Sequence, residues 1–480
     1  MKLLPFRFFG VVAIVILLMT IVTPCFSQGG AMPPETDGKP QLSINGALGS
    51  TIINGQAYQY FSLRPDIPIW RFGIGLDLSF YFDEDGKLRE DDWDETADYI
   101  EKIYYIRYGK PGQPLYVRVG ALNPITLGYG LIMRRYSNAI EWPQTKRTGL
   151  HSQVKIGNIG VEAVMNNFRE LNSPGLVAGR VTYTMNFIKP VVFGATIAYD
   201  GNQYLGAKDD DDDGFPNHQD LFPDENDRSH VDWLRSILSS RQMELLIESG
   251  DLPNIPDKLV SIYDRDAPVT EFGIDVGVAL LQNDIMTLWA YAQAAQIADY
   301  GRGYTIPGLR WTMGPFYAGA EYRIFEAEFL GDFFNYSYEI ERVAWDEASQ
   351  NYITKEEHLA NIPSAQGYFV DAGADLFNIV DIYAAYQNMM YDNSDLPNQS
   401  VQATVSLNTA KIPRLDLAEG FYMQPNADKL FSKDSDGTTV GYTVGTAMGD
   451  GMMLKYDNRV IYRNGEPNRI MTIEAVMKFK

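Results

Sequence analysis

An all-β fold, a transmembrane antiparallel β-barrel of roughly 16 to 22 strands with a partly helical loop insertion, is predicted by three features of the sequence. Apolar and polar residues alternate with a period of two along most of the chain. The alternating runs reach roughly ten residues, the length that crosses a bilayer at a tilt. Aromatic residues, 30 Tyr, 24 Phe and 7 Trp, crowd the ends of these runs, as an interfacial girdle requires.

The clearest alternating run is WRFGIGLDLSFYF, residues 70–82, which we expect to form one strand. Successive side chains of a strand point to opposite faces, so one face of this run is wholly apolar and the other polar or small. A soluble sandwich or barrel with a dry interior also produces alternation. Charge together with glycine on one face suits a watery lumen better, and so favours a membrane barrel with an apolar exterior.

The same pattern recurs in residues 114–122, 270–280, 317–325 and 471–480. On the barrel interpretation, the charged residues of the polar faces point into the lumen. Two interpretations of them stay open: opposed charges at a constriction that orients solutes, or internal salt bridges that fill and stiffen a closed barrel. The candidate lumen-facing residues are Arg71, Asp77, Arg107, Arg118, Arg180, Glu271, Asp275, Glu321, Arg323, Asp371 and Asp375.

The N-terminus predicts export. Residues 1–27 combine two basic residues, an unbroken apolar run and a small polar end, which is typical of a secretory signal peptide. Residues 28–40 are expected to form a flexible leader, and 41–480 the barrel. The only cysteine, Cys25, lies within the signal peptide, so the mature chain has neither a disulfide nor a thiolate metal site. The export signal and the alternating strands together predict that the protein is located in the outer membrane of a two-membrane bacterium.

The formal net charge of −22 excludes some partners. Such a chain repels nucleic acid and favours cations, so the expected partners are outer-membrane lipid and a small polar or cationic solute. The sequence does not fix the oligomeric state. Four histidines occur without an HExxH or GxSxG pattern, and we therefore expect no enzyme.

Residues 201–266 interrupt the alternation and form the predicted loop insertion. It begins with the acidic run KDDDDDGFPNHQDLFPDEND, residues 208–227, and continues with apolar residues at helical spacing over 231–247. An acidic turn followed by one or two short helices is expected. Specific contacts of a barrel concentrate in such loops.

Gly214 gives the acidic run a register. Calcium needs six to eight hard oxygens around a sharply turning chain, and glycine at position 6 of a twelve-residue loop permits the turn. In that register the ligands are the side chains of alternate residues and one backbone carbonyl. The candidate Ca²⁺ ligands are Asp209, Asp211, Asp213, Phe215 (carbonyl), Asn217 and Asp220.

Residues 209–223 resemble a thrombospondin type 3 repeat, including the closing Phe222-Pro223. The resemblance implies calcium bound by alternating Asp side chains and a loop ordered by the metal. Two departures weaken it: Asp210 and Asp212 add charge repulsion, and Asp220 is shorter than a bidentate Glu. The alternative is a solvated acidic loop without metal.

The chain as a whole resembles porin-like outer-membrane barrels in class. That resemblance implies passive passage or binding of small polar or cationic solutes. The alternative is a surface adhesion or structural protein that uses the barrel as an anchor. Conductance separates these two functions, because only the first needs an open lumen.

Overall fold

The structure is a computed structural model of the full chain. It describes residues 43–479 with gaps, and the signal peptide and leader expected over 1–40 lie outside the described residues. The undescribed residues are 1–42, 54–55, 84, 90–92, 94–101, 123, 141–144, 169–174, 210–213, 218–237, 250–260, 347–348, 350, 377–378, 393–398, 408–416, 428–429, 432–437, 450–451, 464–465 and 480.

The described chain is almost entirely β-structure. Long alternating runs form the strands because an extended chain separates their apolar and polar faces. The strands are β1 Ser43–Ile53, β2 Gln56–Ile69, β3 Phe72–Leu76, β4 Leu78–Phe82, β5 Ile103–Tyr108, β6 Leu115–Gly120, β7 Gly149–Ile156, β8 Ile159–Met165, β9 Leu176–Asn186, β10 Pro190–Asp200, β11 Val269–Gln282, β12 Met286–Ile297, β13 Arg302–Met313, β14 Phe316–Phe325, β15 Val343–Asp346, β16 Asn351–Thr354, β17 Ala365–Leu376, β18 Val380–Tyr391, β19 Gln399–Leu407, β20 Leu417–Ala427, β21 Thr439–Gly449, β22 Met452–Arg463 and β23 Glu466–Phe479.

The large sheet closes on itself. Its 21 described strands pair antiparallel with their neighbours, and β1 pairs with both β2 and β23. Strands β3 and β4 both pair with β2, and so occupy one position in the ring. β15 and β16 form a separate small hairpin. Closure leaves no unpaired sheet edge between β1 and β23. The predicted all-β antiparallel barrel is confirmed.

The prediction of one strand over 70–82 is wrong. Trp70 has a φ of 56° and forms a turn with Arg71, so the strand begins at Phe72. It is interrupted at Asp77, whose backbone N–H donates to the carbonyl of Lys102, in the following loop, at 2.8 Å. The interruption divides the predicted strand because that N–H is taken by a loop rather than by the strand ladder.

The burial of polar and apolar side chains is inverted relative to that in a soluble protein. On β11 the charged Glu271 and Asp275 are buried, whereas the alternating Phe272 and Ile274 are 45% and 67% exposed. On β9 and β10, Arg180 is buried while Ile197 is 52% exposed. A soluble core buries its apolar residues instead. The apolar faces of these strands therefore line the outside of the barrel, and the polar faces line its interior.

Large inward side chains lie over glycines of the neighbouring strand. The Tyr291 ring covers Gly308, its partner across β12 and β13, and a Cβ at position 308 would lie 2.2 Å from that ring. Tyr317 covers Gly373 in the same way across β14 and β17. Glycine supplies the space that each ring fills, which explains why glycine recurs on the predicted inner faces.

The antiparallel order places the connections of the chain at two ends. One end, with the start of β1 and the end of β23, carries the short turns 70–71, 109–114, 157–158, 187–189, 283–285 and 314–315 and also the longer connection 408–416. The opposite end carries the longer connections 83–102, 121–148, 166–175, 201–268 and 326–364. The predicted insertion therefore lies at the same end as the other long loops.

The insertion contains the helix α1, Ser240–Ser249, which confirms its partly helical character. Apolar residues proposed for a helix before residue 238 lie outside the described residues. The second helix, α2 (Tyr338–Glu341), lies in the loop 326–364, and 3-10 helices cover Gln203–Gly206, Ile262–Asp264 and Glu357–Asn361. Among the described helices, none has the length and hydropathy needed to cross a membrane.

Candidate functional site

The loop 121–148, between β6 and β7, crosses the barrel interior. Tyr129 stacks on Tyr291 of β12, with ring centroids 3.9 Å apart. Further along the loop, Arg459 of β22 donates a hydrogen bond to the Ile140 carbonyl at 2.5 Å. In the ring, β13, β14 and β17 to β21 separate β12 from β22 on one side, and β23 with β1 to β11 separates them on the other. The loop therefore joins distant parts of the wall and narrows the lumen.

Gly120 lets this loop leave the wall. Its φ is +117°, which an L side chain rarely adopts, and a Cβ there would lie 2.4 Å from the Tyr104 carbonyl oxygen. Asn138 then fixes the loop inside: its Oδ1 accepts from the Leu122 N–H at 2.7 Å, and its Nδ2 donates to the Asn166 carbonyl at 2.8 Å. Asn138 is fully buried, so these bonds satisfy an amide that water cannot reach.

A second loop, 326–364, packs on the first. The Arg134 N–H donates to the Phe334 carbonyl at 3.1 Å, and the Asp332 N–H donates to the Leu131 carbonyl at 2.8 Å. One apolar cluster joins both loops to the wall. Its buried members are Leu122, Ile125, Leu127, Leu131, Ile132, Met133, Tyr136, Val164, Leu176, Ala178, Ala198, Val269, Ala295, Ile297, Phe325, Phe329, Phe333, Phe334, Tyr338, Leu359, Ala365 and Met389.

Four charges of alternating sign connect these loops to β14. Arg134 pairs with Glu321 at 2.8 Å and with Asp332 at 3.4 Å. Arg323 pairs with the same two carboxylates, at 2.8 and 3.3 Å. The Tyr291 hydroxyl also donates to Glu321, at 2.8 Å. We call Arg134, Glu321, Arg323 and Asp332 the wall cluster. Its charges sum to zero, so each buried charge is compensated.

A second ionic group centres on Glu339 of α2. Its carboxylate lies 3.3 Å from Arg147 and 3.4 Å from Arg342, and it accepts from the Tyr136 hydroxyl at 2.5 Å. Burial by itself raises the pKa of Glu339, but Arg342 and Arg147 outweigh burial and hold that pKa below its ordinary value. The Glu339 group thus joins both inner loops through charge.

Most candidate lumen residues lie on the inner face. The wall positions with a buried side chain are Asp77, Arg118, Arg180, Glu271, Asp275, Glu321, Arg323 and Asp371. Arg180 and Asp275 form a two-bond ion pair, at 2.5 and 2.9 Å. Glu271 has no hydrogen-bond partner for either carboxylate oxygen among the described residues. Several of these charged residues therefore form internal salt bridges, as expected if the inner charges fill and stiffen the barrel.

The other three candidates are less buried. Arg71 is exposed in the turn before β3 and donates to the Tyr108 hydroxyl at 3.3 Å, so its placement in the lumen is corrected. The position of Arg71 depends on the turn at Trp70, which the alternating pattern of residues 70–82 does not indicate. Arg107 is half-buried over Gly73, and Asp375 is exposed near the short-turn end of β17.

A pocket remains between the inner loops and the wall strands β17 to β20. It encloses about 800 Å³, counted with the solvent space at its mouth. We call it the lumen pocket. The residues around it are Arg134, Leu330, Gly331, Asp332, Asn335, Tyr336, Ser337, Glu341, Lys355, Phe369, Tyr383, Ala385, Tyr386, Gln387, Ser400, Val401, Gln402, Met423, Gln424 and Pro425.

Sequence reasoning missed most of this pocket. Strand alternation did not single out Arg134, Asp332, Glu341 or Lys355. The signal was the segment LIMRRYSN, whose charges lie between apolar residues without strand alternation. A loop with that composition has to be buried in part, and its arginines then need partners.

The candidate calcium loop is only partly within the described residues. The Asp209 carboxylate accepts from the Gly214 N–H at 2.8 Å, and Gly214 has a φ of +92°. Asp211, Asp213 and Asp220 lie outside the described residues, as does Asp210. Phe215 is buried, and the Asn217 N–H donates to the Lys208 carbonyl at 2.9 Å. Within the described part of the chain, no group of three or more His, Cys, Asp or Glu could hold a metal ion. The calcium site stays a prediction.

Solved outer-membrane proteins of Pseudomonas aeruginosa are similar to this chain. OccK2 (OpdF), solved in complex with glucuronate, is 8% identical with a TM-score of 0.30, covering 91% of this chain and 96% of that one. OpdQ is 9% identical, with a TM-score of 0.31 and coverage of 91% and 96%. The siderophore receptor PirA is 9% identical, with a TM-score of 0.34 and coverage of 93% and 82%. No family model and no curated protein matches the sequence.

Proposed function

We propose that this chain is an outer-membrane β-barrel that passes or binds small polar solutes through its lumen, and that it is not an enzyme. The inverted polarity carries this proposal. Ile274, 67% exposed on the outside of β11, alternates with the buried Asp275 on the inside. In water an apolar outer wall of this kind is unfavourable, whereas in a bilayer it is the stable arrangement.

The proposed orientation follows from the two ends of the barrel. Bacterial barrels have short periplasmic turns and longer extracellular loops. The turns 157–158 and 187–189 then face the periplasm, and the insertion 201–266 faces the exterior. Calcium ordering of 209–220 belongs to this proposal, since extracellular calcium suits sites of modest affinity. The turn at Gly214 supports the proposed calcium binding.

The loop 121–148 favours a second candidate function. It reaches both β12 and β22, and the wall cluster fixes it by buried ion pairs. If the two docked inner loops close the lumen, solutes cannot pass, and the barrel serves as an anchor for an adhesive or structural surface. The lumen pocket favours the first function, because it leaves a polar space beside the loops.

Planar-bilayer conductance of the purified full chain separates the two functions. A passage function predicts discrete ion-conducting events in a neutral bilayer, because a polar lumen admits hydrated ions. A correctly folded barrel that never conducts contradicts passage and supports the anchor. Heat-dependent mobility in gel electrophoresis gives the folding control.

A further inference from the structure

We infer that the lumen pocket binds neutral, hydroxyl-rich solutes of the saccharide class in preference to charged ones. The inference rests on the proposed function for the role of the lumen. It narrows the expected solute, because the acidic net charge alone favours cations. The wall of the pocket, rather than the charge of the whole chain, decides which solute gains from entering it.

The charged side chains around the pocket compensate one another. They are Arg134, Asp332, Glu341 and Lys355, two of each sign. Arg134 lies 3.4 Å from Asp332, and Lys355 lies 3.0 Å from Glu341. A charged solute entering the pocket loses hydration without meeting an unpaired counter-charge among the described residues. That loss costs more free energy than removing a hydroxyl group from water.

Neutral polar groups are available on the pocket wall. The Gln402 amide on β19 is half-buried and has no hydrogen-bond partner among the described residues, and the same holds for the Ser400 hydroxyl. Gln387 lies opposite Ser400 in the strand register, and its Oε1 already accepts a hydrogen bond from Arg323. Amides and hydroxyls both donate and accept hydrogen bonds. The hydroxyl groups of a ligand also donate and accept, so they can hydrogen-bond to these side chains in either role.

Apolar surface completes the lining. Phe369 and Tyr383 border the pocket with Met423, next to the polar wall. A sugar ring has the matching composition, with C–H faces that contact aromatic or apolar surface and hydroxyls at its edge. Pockets that combine apolar surface with a few fixed polar groups are typical of specific small-molecule sites.

Glucose, glucosamine and glucuronate test the inference, because they share one ring and differ in charge. Binding to the full chain in neutral detergent micelles is measured by saturation-transfer NMR. We expect glucose to bind roughly tenfold more tightly than either charged sugar, since each of these leaves an unpaired charge in the pocket. Equal or tighter binding of glucosamine or glucuronate overturns the inference.

Two variants assign the binding to the pocket. Gln402→Leu keeps the size of the side chain and removes its amide, and should weaken glucose binding about fivefold. Gln366→Leu is the matched control, because Gln366 is exposed on the outside of β17. Gln402→Glu adds an uncompensated carboxylate and should reverse the preference toward glucosamine. Unchanged glucose binding in Gln402→Leu, or no reversal in Gln402→Glu, contradicts the inference.

Binding in micelles does not depend on conductance, so the two proposals fail separately. A barrel that conducts ions but binds glucosamine or glucuronate better than glucose retains passage and overturns the saccharide preference. A barrel that binds glucose with this preference and never conducts retains the saccharide site and overturns passage.

Discussion

Arg134 and Glu321 form an ion pair at 2.8 Å although 187 residues separate them in the chain. Arg134 belongs to the loop that crosses the lumen, and Glu321 belongs to the wall strand β14. Both side chains are nearly inaccessible, at 8% and 1% exposure. The pair therefore fixes the inner loop to the barrel wall. Each of the two buried charges needs the other to compensate it.

Breaking this pair should release the loop. Arg134→Gln or Glu321→Gln each leaves a buried charge with less compensation, which costs about 3 to 5 kcal/mol. We expect lower urea midpoints in detergent and faster proteolysis within 121–148. The double variant should recover part of the loss, since it leaves neither charge of the pair. Arg302→Gln, at an exposed residue, is the control, and single variants as stable as that control would disprove the role of the pair.

Acid should loosen the contact between the two inner loops. The pKa of Glu339 is held below its ordinary value of 4.5 mainly by Arg342 and Arg147, which outweigh the effect of burial. A depressed pKa stabilises the folded state above pH 4.5, and this contribution is lost as the pH falls through the lower folded value.

The measurement is cleavage of the inner loops by an acid-active protease between pH 5 and pH 2. Wild-type cleavage should rise with acidity, whereas Glu339→Gln should be cleaved readily at pH 5 and change less below it. Glu326→Gln, at an exposed position, should follow the wild type. The prediction fails if Glu339→Gln retains the full acid dependence.

Replacing a glycine of the inner wall by alanine should destabilise the barrel where an aromatic ring covers that glycine. A Cβ at Gly308 would meet the Tyr291 ring at 2.2 Å, so Gly308→Ala has to displace a ring that also bonds Glu321. Overpacking of this kind costs about 1 to 3 kcal/mol. At Gly179, on β9, the nearest atom lies 3.9 Å from the added Cβ, and Gly179→Ala should cost less. Equal urea midpoints for the two variants would contradict the ring-over-glycine explanation.

Removal of calcium should loosen the acidic insertion. Without the metal, the carboxylates of residues 209–220 repel one another, so EDTA should accelerate cleavage within 201–266 and millimolar calcium should reverse the effect. Asp211→Asn should weaken the protection by calcium. Asp266→Asn is the control, because Asp266 is an exposed carboxylate beyond the twelve-residue loop. Cleavage that is indifferent to both EDTA and calcium rules out the metal site.

The barrel itself was predictable because its signal is local. Alternation along 270–280 assigns Asp275 to one face and Ile274 to the other, whatever the rest of the chain does. The run 70–82 shows where local reasoning stops: Trp70 and Asp77 keep the alternation, yet a turn and a loop contact interrupt the strand there.

The sequence by itself determined the strand class, the inward side of most charged residues and the position of the insertion in the chain, since each depends on spacing between near neighbours. Only the tertiary structure decided that Arg134 meets Glu321, that Ile140 reaches Arg459, and that Gln402 faces a charge-balanced pocket. These contacts join residues far apart in the chain, and they depend on closure of the ring and on the loop that enters it. The antiparallel strand order also placed 201–266 at the end with the long loops, because each strand reverses the direction of the one before it.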